Sequence, residues 1–178
     1  MKKHSFSLRP FDKSAFEQVT IQGEISRRKG MLTLGCALSG GLSDILVPET
    51  AVTPERLDRL WQETCFEFFI APKGRAYYWE FNLSPSGHWN VYRFTSYREG
   101  VRTENTIDSL PFIVRRREHN LEVSAEVSLD AFVHEDQTIE ISVCAVTMHR
   151  DGTMSYWALT HPGHVPDFHH RDGFIIQL

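Results

Sequence analysis

Two glutamates, Glu67 and Glu80, stand in neighbouring runs, CFEFFIAP and YYWEFNL, whose other residues are almost all apolar. In extended chain the first run sends Cys65, Glu67 and Phe69 to one face and Phe66, Phe68 and Ile70 to the other. The second sends Tyr78, Glu80 and Asn82 one way and Tyr77, Trp79, Phe81 and Leu83 the other. The wholly apolar sets must meet the core, which leaves both carboxylates together on the opposite face. If Ile70 pairs with Tyr77 across the Gly74 loop, Glu67 lies opposite Glu80 and Cys65 opposite Asn82. Two facing carboxylates need a cation, a shared proton or a hydrogen-bonding ligand between them.

The next run supplies a candidate cation. A four-residue loop, Ser84-Pro85-Ser86-Gly87, would put Trp89 beside Asn82 and Arg93 beside Tyr78, so that Arg93 bridges the glutamates. A slip of one residue would replace that set with Asn90, Tyr92 and Phe94. Glu67, Glu80 and Arg93 then make either a fold-holding ion network or a sugar platform. In the second case rings offer apolar faces for stacking while carboxylate, amide and guanidinium groups satisfy hydroxyls.

A second constellation runs from His161 to Asp172, with four His and two Asp within 12 residues. Imidazole and carboxylate suit zinc. However, Pro162, Gly163 and Pro166 constrain the loop, and the adjacent His169 and His170 point apart when extended. The favoured expectation is anchoring: Phe168 packs beneath a turn, and His169 or His170 hydrogen-bonds inward while neutral. No metal and no cofactor are expected. A haem would need Met31, Met148 or Met154 with one His as axial ligands, and no CxxCH attachment motif is present. GxSxG, HExxH and glycine-rich phosphate loops are also missing, so paired carboxylates are the only hydrolase-like feature.

These groups must be positioned by strands. Leu121, Val123, Ala125, Val127 and Leu129 alternate with Glu122, Ser124, Glu126 and Ser128, and residues 31–36 alternate in the same way. Further strand-like runs cover 18–25, 64–70, 77–83, 89–96, 112–117, 138–149, 154–159 and 174–178, each bounded by Gly, Pro, Asn, Asp or Ser. About ten short strands imply a sandwich or barrel. Thr53 and Pro54 before Leu57, Leu60 and Trp61 predict one short amphipathic helix, and Ser128 to Glu135 another turn. The expected core is Phe66, Phe68, Trp79, Phe81, Leu121, Val123, Val127, Ile139, Ile141 and Val143.

Length and charge narrow the function classes. The 178 residues suit one domain, 1–178, and 19 Lys plus Arg against 23 Asp plus Glu argue against a phosphate-neutralising surface. Nucleic acid and membrane are therefore not expected partners, and no run approaches the roughly 20 apolar residues of a membrane span. The short basic runs Arg27-Arg28-Lys29 and Arg115-Arg116-Arg117 read as solvated faces or edge-strand protection. Cys36, Cys65 and Cys144 are widely spaced in apolar runs, and read as buried, reduced thiols. With no signal-peptide apolar region after Lys2 and Lys3, a cytoplasmic location is expected.

From Trp61 onward, the succession of a Trp, a TCFEFFIAP strand, YYWEFNLSPSG and a Trp-bearing strand resembles DOMON-like proteins related to family 9 carbohydrate-binding modules. The closing YWALTHPGHVPDFHHRDGFIIQL is similar to their C-terminal segment. The resemblance implies a jelly-roll-like antiparallel β-sandwich with immunoglobulin-like layering, whose relatives bind sugars or haem, and no enzyme activity. It also implies that Trp61 matches their stacking Trp, Glu67 their carboxylate and Arg93 their ligand-binding Arg. Trp157, with Phe168 competing, stands for a second stacking residue. The expected function is a noncatalytic carbohydrate-binding domain using Trp61, Glu67, Asn82 and Arg93, with Trp89 and Trp157 as further candidates. The rivals are an interaction or scaffold domain that has lost its ligand, and a haem- or metal-binding domain.

Overall fold

The computed structural model describes residues 2–12 and 18–178. The strands are β1 (Lys2–Pro10), β2 (Thr20–Arg28), β3 (Met31–Ser39), β4 (Cys65–Pro72), β5 (Tyr78–Leu83), β6 (Trp89–Phe94), β7 (Arg102–Thr103), β8 (Phe112–Arg117), β9 (Asn120–Ser128), β10 (Ile139–Met148), β11 (Met154–Ala158) and β12 (Ile176–Gln177). They pair along one path, β7-β6-β5-β4-β10-β11-β1-β2-β3-β9-β8, with β12 added to β10. Every ladder between these strands is antiparallel. β1 joins two arms, because Lys2 to Leu8 pair with β2 while Arg9 and Pro10 pair with β11.

The sheet curls so that both arms contribute to one apolar cluster. Ile21, Ile25, Leu32 and Leu121 from one arm share it with Phe66, Phe68, Phe81 and Ile141 from the other. All ten residues expected in the core belong to it. The β1-β2-β3-β9-β8 arm leaves its outer face open, so β3 and β9 alternate buried and less buried residues. The other arm is covered on both faces. Its outer side carries a second cluster, including Phe69, Tyr78, Phe94, Cys144 and Phe174, over which Phe168 of the closing segment packs. This double coverage explains why β4 is buried at every position and reads as a continuous apolar run.

Two expectations are corrected, and one strand is unexpected. No α-helix occurs among the described residues, only single 3-10 turns at Leu42–Asp44, Leu60–Gln62 and Arg171–Gly173. The segment expected to be a helix before Trp61 instead lies alongside β6. Leu57 N–H donates to Trp89 O at 3.0 Å, and Trp89 N–H donates to Glu55 O at 3.1 Å. The Arg56 guanidinium stacks 4.2 Å over the Trp89 ring and donates to Asn90 Oδ1. These tertiary bonds outweigh a weak helical preference over so short a stretch. β1 is also a strand that hydrophobic alternation does not reveal, since Leu8 is its one fully buried residue. Finally, Arg27 is no solvated residue. It is buried and donates to the carbonyls of Gln137 and His134. The second basic run does sit on the terminal strand β8 with all three arginines exposed.

Two glycines in facing strands give a paired test of this packing. A Cβ on Gly35 would meet nothing within 4 Å, whereas one on Gly23 would lie 2.1 Å from Gly35 O and 2.6 Å from the Phe6 ring. Gly35→Ala is expected to stabilise the protein by about 0.5–1 kcal/mol, because it restricts only the unfolded chain. Gly23→Ala should destabilise it by about 1–3 kcal/mol through overpacking. Urea melts of both variants check the signs, and equal effects would contradict the described register.

Candidate functional site

The outer face of the β4-β5-β6-β10-β11 arm holds a cleft of about 620 Å³. Its floor contains Glu67 and Glu80, and its walls include Trp61, Tyr92, Phe94, Tyr156 and Phe168. Both glutamates reach it as the strand alternation expects, although the pairing differs. Glu67 lies opposite Asn82, and Glu80 opposite Phe69. The register is thus shifted by two residues from the expected one, a shift that keeps every side chain on its face.

The next hairpin carries the consequential correction. Leu83 pairs with Trp89, so the loop has five residues, 84–88. Gly87 N–H donates to Ser84 O, Ser84 N–H donates to His88 O, and Gly87 takes φ 98°, which favours glycine. The extra residue turns β6 over. Asn90, Tyr92 and Phe94 now share the cleft face with Asn82, Glu80 and Tyr78, while Trp89 and Arg93 point the other way. Arg93 therefore does not bridge the glutamates. Its guanidinium lies 5.5 Å from the Trp79 ring and 5.6 Å from the Tyr77 ring. Trp89 belongs to the central apolar cluster, beneath Arg56. Trp157 is also core, 1% exposed, with its indole N–H donating to Thr147 Oγ1 at 3.1 Å. Phe168, the competing aromatic, lines the cleft instead.

Trp61 is 39% exposed and meets Tyr92 edge-on at 5.8 Å. Its position follows from the extended segment before it. The Tyr92 hydroxyl donates to Asp58 Oδ1 at 2.8 Å, and Asn90 Nδ2 lies 2.9 Å from the same oxygen. Arg59, at φ 61°, then turns the chain into the 3-10 turn that carries Trp61.

The carboxylates are held in poor electrostatic surroundings. Asn82 Nδ2 donates to Glu80 Oε1 at 2.9 Å, but Glu67 Oε1 and Asn82 Oδ1 are buried without a hydrogen-bond partner. Burial, reinforced by Glu80, pushes the Glu67 carboxyl well above the usual range. Burial likewise raises Glu80 to about 7, opposed by the Asn82 hydrogen bond and by Arg98. Arg98 itself is engaged with Asp167 at 2.8 Å. Cys65 and Cys144, raised by burial, remain neutral thiols nearby.

His169 seals one wall. Its Nδ1 is 2.8 Å from the Tyr78 hydroxyl, whose oxygen accepts the Arg98 backbone N–H at 3.1 Å. Burial, followed by the field of Arg98, lowers its pKa to about 4, so the ring is neutral near pH 7. Tyr78 then donates to Nδ1, and Nε2 carries the ring proton, 3.8 Å from Glu80 Oε2. The His-rich loop is thus anchored through His169, while His170 Nδ1 accepts Asp172 N–H and His161 meets Arg9 O. Among the described residues, no group of three or more His, Cys, Asp or Glu is arranged to hold a metal ion. His169→Ala removes a ring packed against Phe69 and Phe94 and strips Tyr78 of its acceptor. It should cost about 2 kcal/mol in thermal or urea melts, with a chelator leaving wild-type melting unchanged. Stoichiometric zinc whose removal lowers stability would contradict this account.

No protein-family model matches the chain, and no curated protein matches it in sequence. Solved structures do share its fold. A proposed carbohydrate-binding protein from Bacteroides uniformis superposes with a TM-score of 0.71 at 16% identity, covering 96% of this chain and 84% of that one. A family 9 carbohydrate-binding module from Caldicellulosiruptor kristjanssonii, solved with cellotriose, gives 0.53 at 12% identity over 90% and 74% of the two chains. A module of the same family and organism, solved with glucose, gives 0.50 at 13% identity over 85% and 72%. At these identities the likeness is one of fold.

Proposed function

We propose that this chain is a noncatalytic carbohydrate-binding domain, its curled sheet a jelly-roll-like sandwich related to the family 9 modules, with the outer cleft as the binding site. The observation that carries the reading is the pairing of an exposed Trp61 face with a buried, unpartnered Glu67 oxygen in one cleft. A pyranose has the same division, with an apolar C–H face for an indole and hydroxyl donors for a carboxylate. The sugars held by structural neighbours support this assignment. Trp61, Glu67, Glu80 and Phe168 are the proposed contacts; Asn82 orients Glu80 from beneath. Arg93, Trp89 and Trp157 are left out because they face away from the cleft. A cytoplasmic location belongs to the same proposal and rests on three buried, unpaired cysteines.

The test is a glycan array followed by calorimetric titration of its hits. Saturable binding of a soluble oligosaccharide, with the sugar recovered uncleaved, is the expected result. Release of new reducing ends would contradict the noncatalytic reading, and failure of every glycan would favour a scaffold domain.

A further inference from the structure

The charge balance of the cleft floor narrows the ligand beyond "sugar". Glu67 is 3% exposed and Glu80 is 5% exposed, and both face the cleft. The expected bridging guanidinium is on the other side of the sheet. Among the described residues the cation that lines the cleft, Arg98, favours the ionised form of Glu80 but is engaged by Asp167. His169, the remaining basic group on Glu80, is neutral near pH 7. The nearby Cys65, Cys144, Tyr78 and Tyr92 are all raised by burial and are uncharged at that pH. Asp58, which accepts from Tyr92, and Asp167, which pairs with Arg98, add no positive charge. Apart from the proton that the buried pair retains, the floor is therefore rich in acceptors, with Glu67 Oε1 and Asn82 Oδ1 lacking any donor.

One hydroxyl brings one donor to this floor and no charge. A primary ammonium brings three donors, no acceptor and a positive charge, and aromatic faces such as Trp61 and Tyr92 favour it further. We propose, building on the carbohydrate-binding reading, that the cleft takes a sugar carrying a free amino group, held as its ammonium against Glu67 and Glu80. An ammonium there favours the ionised form of both carboxylates. Binding should then displace the proton that the buried pair retains at neutral pH.

The experiment is calorimetric titration at about pH 7 with three probes: a glucosamine trimer, the N-acetylglucosamine trimer and cellotriose. Each is run in phosphate and in Tris, whose ionisation enthalpies differ. The glucosamine trimer is expected to bind at least about tenfold more tightly than either neutral trimer, with about one proton released per site once the uptake by the fraction of its amine that is neutral at this pH, known from its own titration, is added back. Glu67→Gln and Glu80→Gln should each remove most of that preference, while thermal melts show both variants folded. Cellotriose or the acetylated trimer binding as tightly as glucosamine would overturn the amino-sugar assignment and leave the carbohydrate reading standing. Binding of glucosamine without proton release after that correction, or with its preference intact in both variants, would overturn the assignment to the glutamate pair. Failure of all three trimers, together with an empty glycan array, would overturn both readings.

Discussion

Glu80→Gln is expected to make the protein more stable at pH 8 by about 3 kcal/mol relative to its effect at pH 5, which is roughly 5–10 °C in melting temperature for a chain of this size. Burial raises the folded-state pKa of Glu80 from 4.5 to about 7. Between those values the folded protein holds a proton that the unfolded chain has lost, so stability is full below the unfolded pKa and declines as pH rises through the folded one. Glu67, raised in the same sense, adds to the decline at higher pH. His169 works in the opposite direction. Its depressed pKa adds stability as pH rises from about 4 to 6.5, so the net fall in wild type is clearest above that range. Gln keeps the acceptor that Asn82 uses and removes the charge. A difference between wild type and variant that does not change with pH would mean that a cation compensates Glu80.

The second large effect concerns binding. Trp61→Ala should weaken the affinity for a confirmed sugar by about 10- to 100-fold, since an exposed aromatic that closes a cleft is the kind of residue that dominates recognition. Its folding contacts are modest, an edge contact to Tyr92 among them, so melting should change little. Arg93→Ala should leave affinity within about twofold, because it lies across the sheet from the cleft. The two variants together separate the observed register from the one read from the sequence. Loss of binding in Arg93→Ala with retention in Trp61→Ala would reverse the assignment.

Legibility followed burial. The strands that carry the core alternate or form apolar runs, and their hydrophobic pattern exposes them; Phe66, Phe68 and Phe81 face inward as expected. Glu67, Glu80 and Asn82 share a face for the same reason, whatever the exact pairing. Strand β1 stayed hidden because its partners are set by backbone hydrogen bonds, not by a buried face. The third side of the cleft stayed hidden because one residue of loop length, 84–88 against 84–87, decides whether β6 presents Arg93 or Tyr92. Sequence chemistry left both open, since Ser-Pro-Ser-Gly-His closes a turn of either length. Tyr156 is not readable as a site residue, and Met154 is readable only as a haem-ligand candidate, not as part of a sugar cleft. They come to the cleft only through the pairing of β11 with β10.

The central claim, that the outer cleft is a sugar site built on Trp61, has four built-in reporters in the indole N–H groups of the four tryptophans. Trp79 donates to Glu104 Oε2 at 2.9 Å, Trp157 to Thr147 Oγ1, and Trp89 is buried beneath Arg56; Trp61 alone of the four lines the cleft. The direct measurement is a ¹H–¹⁵N spectrum recorded while a binding oligosaccharide is added. The Trp61 indole resonance should move and saturate with the ligand, while those of Trp79, Trp89 and Trp157 stay in place. A stationary Trp61 signal with saturating shifts at Trp89 or Trp157 would contradict the account.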